Sequence, residues 1–450
     1  MRIAIRAFST EAPTRNEIPP PFSSLGALAS QFDHYCDTLH GTVQINTTRR
    51  NISHAYKRSY MSASAVDGGT KCVKAKYASF NNLISLLHAA YREDIRTLTQ
   101  PTYYSGINSI MVSLSSAISS NKAFLASRTR PLVVVIAGAT SGIGRATLLS
   151  LCRTHGHNGP GFRVYIPARS KSKAEELVEE CRKLCGKGDF RFVEVKDLSL
   201  LRDVDTACQT IVASERELAG VQAKLDVLIM TQGVVDFGAR KDTIEGLDAS
   251  QSLLLFSRLR FIHSLSLLFP PAATTSIDPA TRIVSVYAAG YESASGMFYP
   301  QDLSLRQPGH YSFTNSRASA VHMKTLLFEH LAQKQYPGRT NPLWFKIIYF
   351  FAAPFLKLFI ATSQEEIGHR IVYIATSGRY AAKHQGDEGE IVMGTDDVKG
   401  SGAYASRSNG EVFDVNKHYE KFRREGLGEK IVEYTEEMWR EIGEGRKFTG

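Results

Sequence analysis

The stretch Val133-Val134-Val135-Ile136-Ala137-Gly138-Ala139-Thr140-Ser141-Gly142-Ile143-Gly144-Arg145-Ala146 decides the fold. An apolar run of strand type ends at Ala137. Three glycines follow at the spacing G-x-x-x-G-x-G, and a segment of helical type, Ala146 to Leu151, begins at once. That order reads as strand, tight turn and helix N-terminus. The first helical turn offers amide N–H groups without intrahelical partners and the positive end of a dipole, so the corner suits an anion. Gly138 permits a turn that a Cβ would strain. Gly142 lets the backbone approach a diphosphate, and Gly144 lets helix and strand pack closely. Ser141 and Ile143 complete the turn and belong to the same predicted binding set.

Downstream, strands and helices alternate. Strand-type runs fall at Val133–Ala137, Arg163–Pro167, Arg191–Val195, Leu225–Met230 and Arg282–Val286. Helical patterns follow them: one through Cys152, then Lys173–Cys185, Asp203–Leu218, Ser250–Leu268 and Ser316–Leu331. Such alternation predicts an α/β fold, a doubly wound parallel sheet with helices on both faces, because right-handed crossovers place them there. A ligand then sits at the carboxyl ends of the strands. The second strand ends in Ile166-Pro167-Ala168-Arg169-Ser170, with no acid in the turn. An acid there would bind a ribose 2′-hydroxyl, whereas arginine suits a 2′-phosphate. Arg169 therefore predicts NADP(H) over NAD(H).

The glycine spacing differs from the G-x-G-x-x-G of other Rossmann proteins and resembles the signature of the short-chain dehydrogenase/reductase family. The resemblance covers about residues 131–331. It implies that Asp197 binds the adenine amino group, that Leu198 packs against the ring, and that Gly233, in Thr231-Gln232-Gly233, lies against the cofactor. Thr243-Ile-Glu-Gly-Leu-Asp, Phe256-Ser257-Arg258 and Met323-Lys-Thr-Leu-Leu-Phe-Glu329 look most like fungal secondary-metabolite members. The implied activity is an NADP-dependent hydride transfer between nicotinamide and a carbonyl or alcohol of an apolar small molecule.

The catalytic residues depart from that pattern. The family uses a tyrosine, a lysine four residues on, a serine and an asparagine. Ser316-Arg317-Ala318 resembles the family's Ser-Lys-Ala, which puts Arg317 at the lysine and Phe313 at the tyrosine. Phenylalanine donates no proton. Reading Tyr311 as the tyrosine puts Asn315 four residues on. The serine position falls on Tyr287 or Ala288, with Ser285 inside the strand, and the asparagine position falls near Ser257. Tyr311 as proton donor, Arg317 as ribose or phosphate anchor and Ser285 as oxygen contact form the expected catalytic set. A non-catalytic nucleotide-binding relative is the rival reading, and a non-redox enzyme reusing the pocket is a third.

Length and composition frame these expectations. The 450 residues are 43% hydrophobic, with net charge +10. The charge forms no basic stripe with interleaved aromatics, so nucleic acid is not the expected partner. Six cysteines show neither disulfide nor metal spacing, and they read as ordinary thiols in a reducing, cytoplasmic setting. Residues 1–110, with Pro19-Pro20-Pro21 and serine-rich patches, read as a largely disordered or artefactual extension, with one short amphipathic helix at Phe80–Tyr91. The dehydrogenase-like domain then runs over 111–450. In this reading the sixth strand is missing or severely shortened, because Tyr336-Pro337-Gly338 follows the last helix too soon, unless the later apolar segment fills in. That segment, 343–361, reads as an amphipathic lid over an apolar pocket, with an interfacial membrane contact as the second reading. The helix over Tyr419–Ile442 reads as peripheral, and pairing of copies is a further implication of the resemblance.

Overall fold

A computed structural model describes residues 112–156, 160–270, 281–288, 297–335, 340–345, 363–380, 391–407, 409–412 and 414–450. The expectations for residues 1–110, for the helix at Phe80–Tyr91 and for most of the apolar segment lie outside these residues.

Helix α1 (Leu114–Ala126) precedes the sheet, and Ser113 caps it by accepting the amide of Ser116. Strand β1 (Leu132–Ala137) leads into α2 (Gly142–His155), then β2 (Phe162–Ala168) and α3 (Lys171–Leu184). Strand β3 (Gly188–Glu194), α4 (Leu201–Ala219) and β4 (Val227–Met230) follow. A helical rod, α5, joins Ala249–Gln251, a π turn at Ser252–Phe256, and Ser257–Leu265. Strand β5 (Arg282–Ala288) precedes α6 (Phe313–His330) and β6 (Thr340–Phe345). Helices α7 (Gln364–Thr376), α8 (Asn416–Arg424) and α9 (Leu427–Gly443) complete the described elements.

The strands form one six-stranded sheet in the order β3-β2-β1-β4-β5-β6, paired in parallel throughout. This is the doubly wound arrangement. Strand order reverses between β1 and β4, and the crevice at such a switch point is where ligands bind. Period-two alternation builds a core on each face. Val133, Val135 and Ala137 face the core shared with α4, α5, α6 and α9, while Leu132, Val134 and Ile136 face the core shared with α1, α2, α3 and α7.

Two expectations are corrected. The sixth strand is present: Ile283 to Ala288 pair with Thr340 to Phe345, the last three of which open the apolar segment, so of the two alternatives that segment helps to fill in. Its Pro342 is tolerated because β6 is the edge strand, where one side of the ladder needs no donor. The C-terminal region is also not peripheral. Gly426, at φ 64°, breaks the expected single helix into α8 and α9. Tyr419, Ile431, Met438 and Ile442 are buried in the core.

Candidate active site

The glycine corner closes the carboxyl end of β1. Gly138 has φ +84°, and a Cβ there would lie 2.6 Å from Thr231 Oγ1. That hydroxyl donates to the carbonyls of Ala137 (3.0 Å) and Gly138 (3.2 Å), tying the turn to the end of β4. A Cβ on Gly144 would lie 2.4 Å from the Gly138 carbonyl oxygen, so only glycine lets α2 approach this closely. Gly142 differs. At φ +55° it has no heavy atom within 4 Å of where its Cβ would be. The Ser141 side chain makes no capping bond to α2, and Ile143 packs partly against the core. The corner stands at the switch point, packed tightly against Thr231 at Gly138 and Gly144 and clear of other side chains where a Cβ on Gly142 would point.

The neighbouring strand ends supply the rest of the predicted nucleotide set. Arg169 is exposed at the end of β2, and Ser170 beside it caps α3 by accepting the Lys173 amide at 3.3 Å. Asp197 follows β3; its Oδ1 accepts the Ser199 amide at 2.8 Å, and Leu198 is buried in the core. Gly233 follows β4 and would set a Cβ 3.4 Å from Leu254.

Each expected catalytic residue has partners outside the expected set. Ser285 is fully buried, and its hydroxyl accepts a bond from Arg258 Nη1 at 2.8 Å. Tyr311 lies under the guanidinium of Arg240, 6.0 Å from its ring centre. Burial, and then the hydrogen-bonded Asp248 carboxylate, push its phenol above the usual range. A proton donor served by a cation needs the opposite. Arg317 is nine-tenths buried, donates to the Val234 carbonyl at 2.9 Å and lies 4.3 Å over the Phe313 ring. It thus braces the loop that follows Gly233.

A different set converges at the end of β5. Arg258 of α5 is buried and donates to the carbonyls of Leu253 (3.1 Å), Val286 (2.6 Å) and Gln232 as well as to Ser285. Burial lowers its pKa to about 9. Lys324 of α6 lies 3.6 Å from the centre of the Tyr287 ring. Burial, with Arg258 and then Arg317 nearby, holds its amine well below the usual range. Sequence reasoning missed Arg258 and Lys324. The signal for Lys324 was its spacing from Arg317: seven residues, two helical turns, on a face whose other members, Ala320, Val321 and Phe328, are apolar. A larger cavity of about 320 Å³ is lined by residues of α5, α6 and α9, with Leu331 just beyond α6, and by none from the glycine corner.

No protein-family profile matches the chain. The short-chain dehydrogenase/reductase SAT2 of Stachybotrys chartarum is 32% identical over 334 residues, which cover 68% of this chain and 90% of that protein. The oxidoreductase AN1596 of Emericella nidulans is 31% identical over 353 residues, 73% of this chain and 98% of that one. Among solved structures, a metagenomic short-chain oxidoreductase in complex with NADP superposes with a TM-score of 0.38 at 17% identity, covering 56% of this chain and 92% of that chain. A likeness that low adds nothing to the assignment, which rests on the two fungal relatives. At 32% identity over two thirds of its length, the chain belongs to the short-chain dehydrogenase/reductase family.

Proposed function

We propose that this protein is an NADP(H)-dependent oxidoreductase acting on a carbonyl or secondary alcohol of an apolar small molecule, in the biosynthesis of a secondary metabolite. The glycine corner at the switch point carries the reading. Family membership and the names of the fungal relatives support the reaction class. The residues present fit the nucleotide. The amides of the first turn of α2, beginning at Gly142, would hold the diphosphate, and Arg169 the 2′-phosphate. Asp197 would meet the adenine and Gly233 the flat face of the cofactor. When bound, NADPH supplies the hydride. Arg317 contributes a fixed positive charge beside the loop after β4 and keeps that loop in place.

A second reading, nucleotide binding without hydride transfer, is favoured by one observation: phenylalanine stands at position 313, where the family has its tyrosine. One experiment separates the two. Fluorescence titration with NADPH and NADH measures binding, and NADPH oxidation with a panel of apolar ketones measures turnover. Arg169→Ala is expected to weaken NADPH by about tenfold or more, the loss of a charge-assisted contact, and to leave NADH unchanged. Binding without turnover across the panel selects the second reading. Absence of binding by either nucleotide removes both.

A further inference from the structure

Behind the end of β5 a small cavity borders a buried lysine that has no acidic partner among the described residues. Leu254, Tyr287, Arg317, Ala320, Val321 and Lys324 line it. It leaves about 10 Å³ to the centre of a water-sized sphere, the room of one water or one carboxylate oxygen. Lys324 is 1% exposed, and among the described residues its ammonium has no hydrogen-bond partner. Helical side chains lean toward the helix N-terminus, so Lys324 reaches back along α6 toward the carboxyl end of the sheet. Arg258 stands behind it from α5, its bonds spent on neutral oxygens. The charged groups that bear on Lys324 among the described residues are Arg258 and Arg317, both cationic. Burying an ammonium without an anion is costly. An oxygen-sized space beside it is where an anion would relieve that cost.

We propose that this cavity takes one oxygen of a substrate carboxylate, held by Lys324 Nζ beside the Tyr287 ring, with Arg258 and Arg317 adding positive potential. The substrate is then an apolar molecule ending in a carboxylate near the reacting carbon, rather than a neutral ketone. The word substrate rests on the oxidoreductase reading above; the anion site itself does not. Around Lys324 stand Arg258 on α5, Arg317 on its own helix and Tyr287 on β5. Binding a carboxylate draws a proton onto the amine, so affinity rises as pH falls.

Formate is the probe. The full chain, without nucleotide, is melted in sodium formate and in the sodium salt of a bulky sulfonate at equal ionic strength. Formate at several times its dissociation constant is expected to raise the melting temperature by about 2 °C or more. The rise should be larger at about pH 6 than at about pH 8. Lys324→Met fills the same space without charge and should melt alike in both salts. Indistinguishable wild-type curves in the two salts overturn the proposal, as does a formate effect that survives Lys324→Met. A second arm compares apolar keto acids with their methyl esters in NADPH oxidation. An acid preference of about tenfold or more, lost in Lys324→Met, supports a substrate carboxylate. A formate effect with no such preference means an adventitious small-anion site only and overturns the substrate assignment. Loss of NADPH binding with the formate effect intact counts against the nucleotide reading alone.

Discussion

His322 sits in α6 among aromatic rings: 4.9 Å from Phe298 in a stacked pair and 5.4 Å from Tyr419 edge-on. Burial, and then the nearby His418, lower its pKa from 6.5 to about 4. The unfolded chain therefore takes up the proton first, so the fold loses stability as pH falls from about 6.5 toward 4 and gains nothing above that window. His322→Phe keeps the stack and removes the titration. Denaturant melts at about pH 7.5 and about pH 5 should show the variant losing about 2 kcal/mol less than wild type between the two. An equal loss in both would place the acid sensitivity elsewhere. Single residues were the hardest scale to read from sequence. Gly138, Gly142 and Gly144 were legible because backbone geometry alone dictates glycine there. Ser285 and Tyr311 misled because a hydroxyl in the right neighbourhood says nothing about which way it faces. Arg258 holds Ser285, and Asp248 draws Tyr311 aside. Lys324 was missed because a lysine inside an apolar helix face reads as a surface residue until the helix is seen to be buried all round.

At the scale of elements, β1 to β5 and their helices were legible to within a few residues, because period-two and period-3.6 patterns alternate without interruption. Strand β6 was not, because Tyr336-Pro337-Gly338 follows the helix so soon; Pro342 within the strand is admissible at the sheet edge. The tail was misjudged because charge dominates its composition, while the buried stripe of Ile431, Met438 and Ile442 shows only against α6 and its neighbours. Beside the β1–β4 ladder, a buried carboxylate also ties the two central strands. Asp226, just before β4, accepts Arg130 Nη1 at 2.8 Å and the Val133 amide at 2.8 Å, and its amide donates to the Val133 carbonyl at 3.0 Å. Arg128 lies 3.2 Å away. Asp226→Ala strands these cations and the amide, and should destabilise the protein by about 3 kcal/mol in denaturant unfolding. Glu179→Ala, which breaks the exposed Lys183 pair at 3.0 Å, should cost about 0.5 kcal/mol or less. Comparable losses for the two would show that Asp226 does not bind the strands together.

For the whole molecule, two apolar cores clamp one parallel sheet and fix its carboxyl edge, where the order reverses between β1 and β4. Among the described residues no helix is long and apolar enough to cross a membrane. The rigid edge carries two features. The glycine corner lies at the end of β1, and a small cavity lined by Arg317 and Lys324 lies near the end of β5. The corner is the part on which the functional account depends, and Gly142 tests it, because asparagine tolerates a left-handed φ and its Cβ would meet no neighbouring side chain within 4 Å. The direct measurement is calorimetric titration of the 450-residue chain and of Gly142→Asn with NADPH and NADH. The account predicts saturable binding of NADPH by the wild type, at least about tenfold weaker in the variant, with the variant still folded by its melting curve. No heat of binding to the wild type from either nucleotide, or equal affinity in Gly142→Asn, would contradict it.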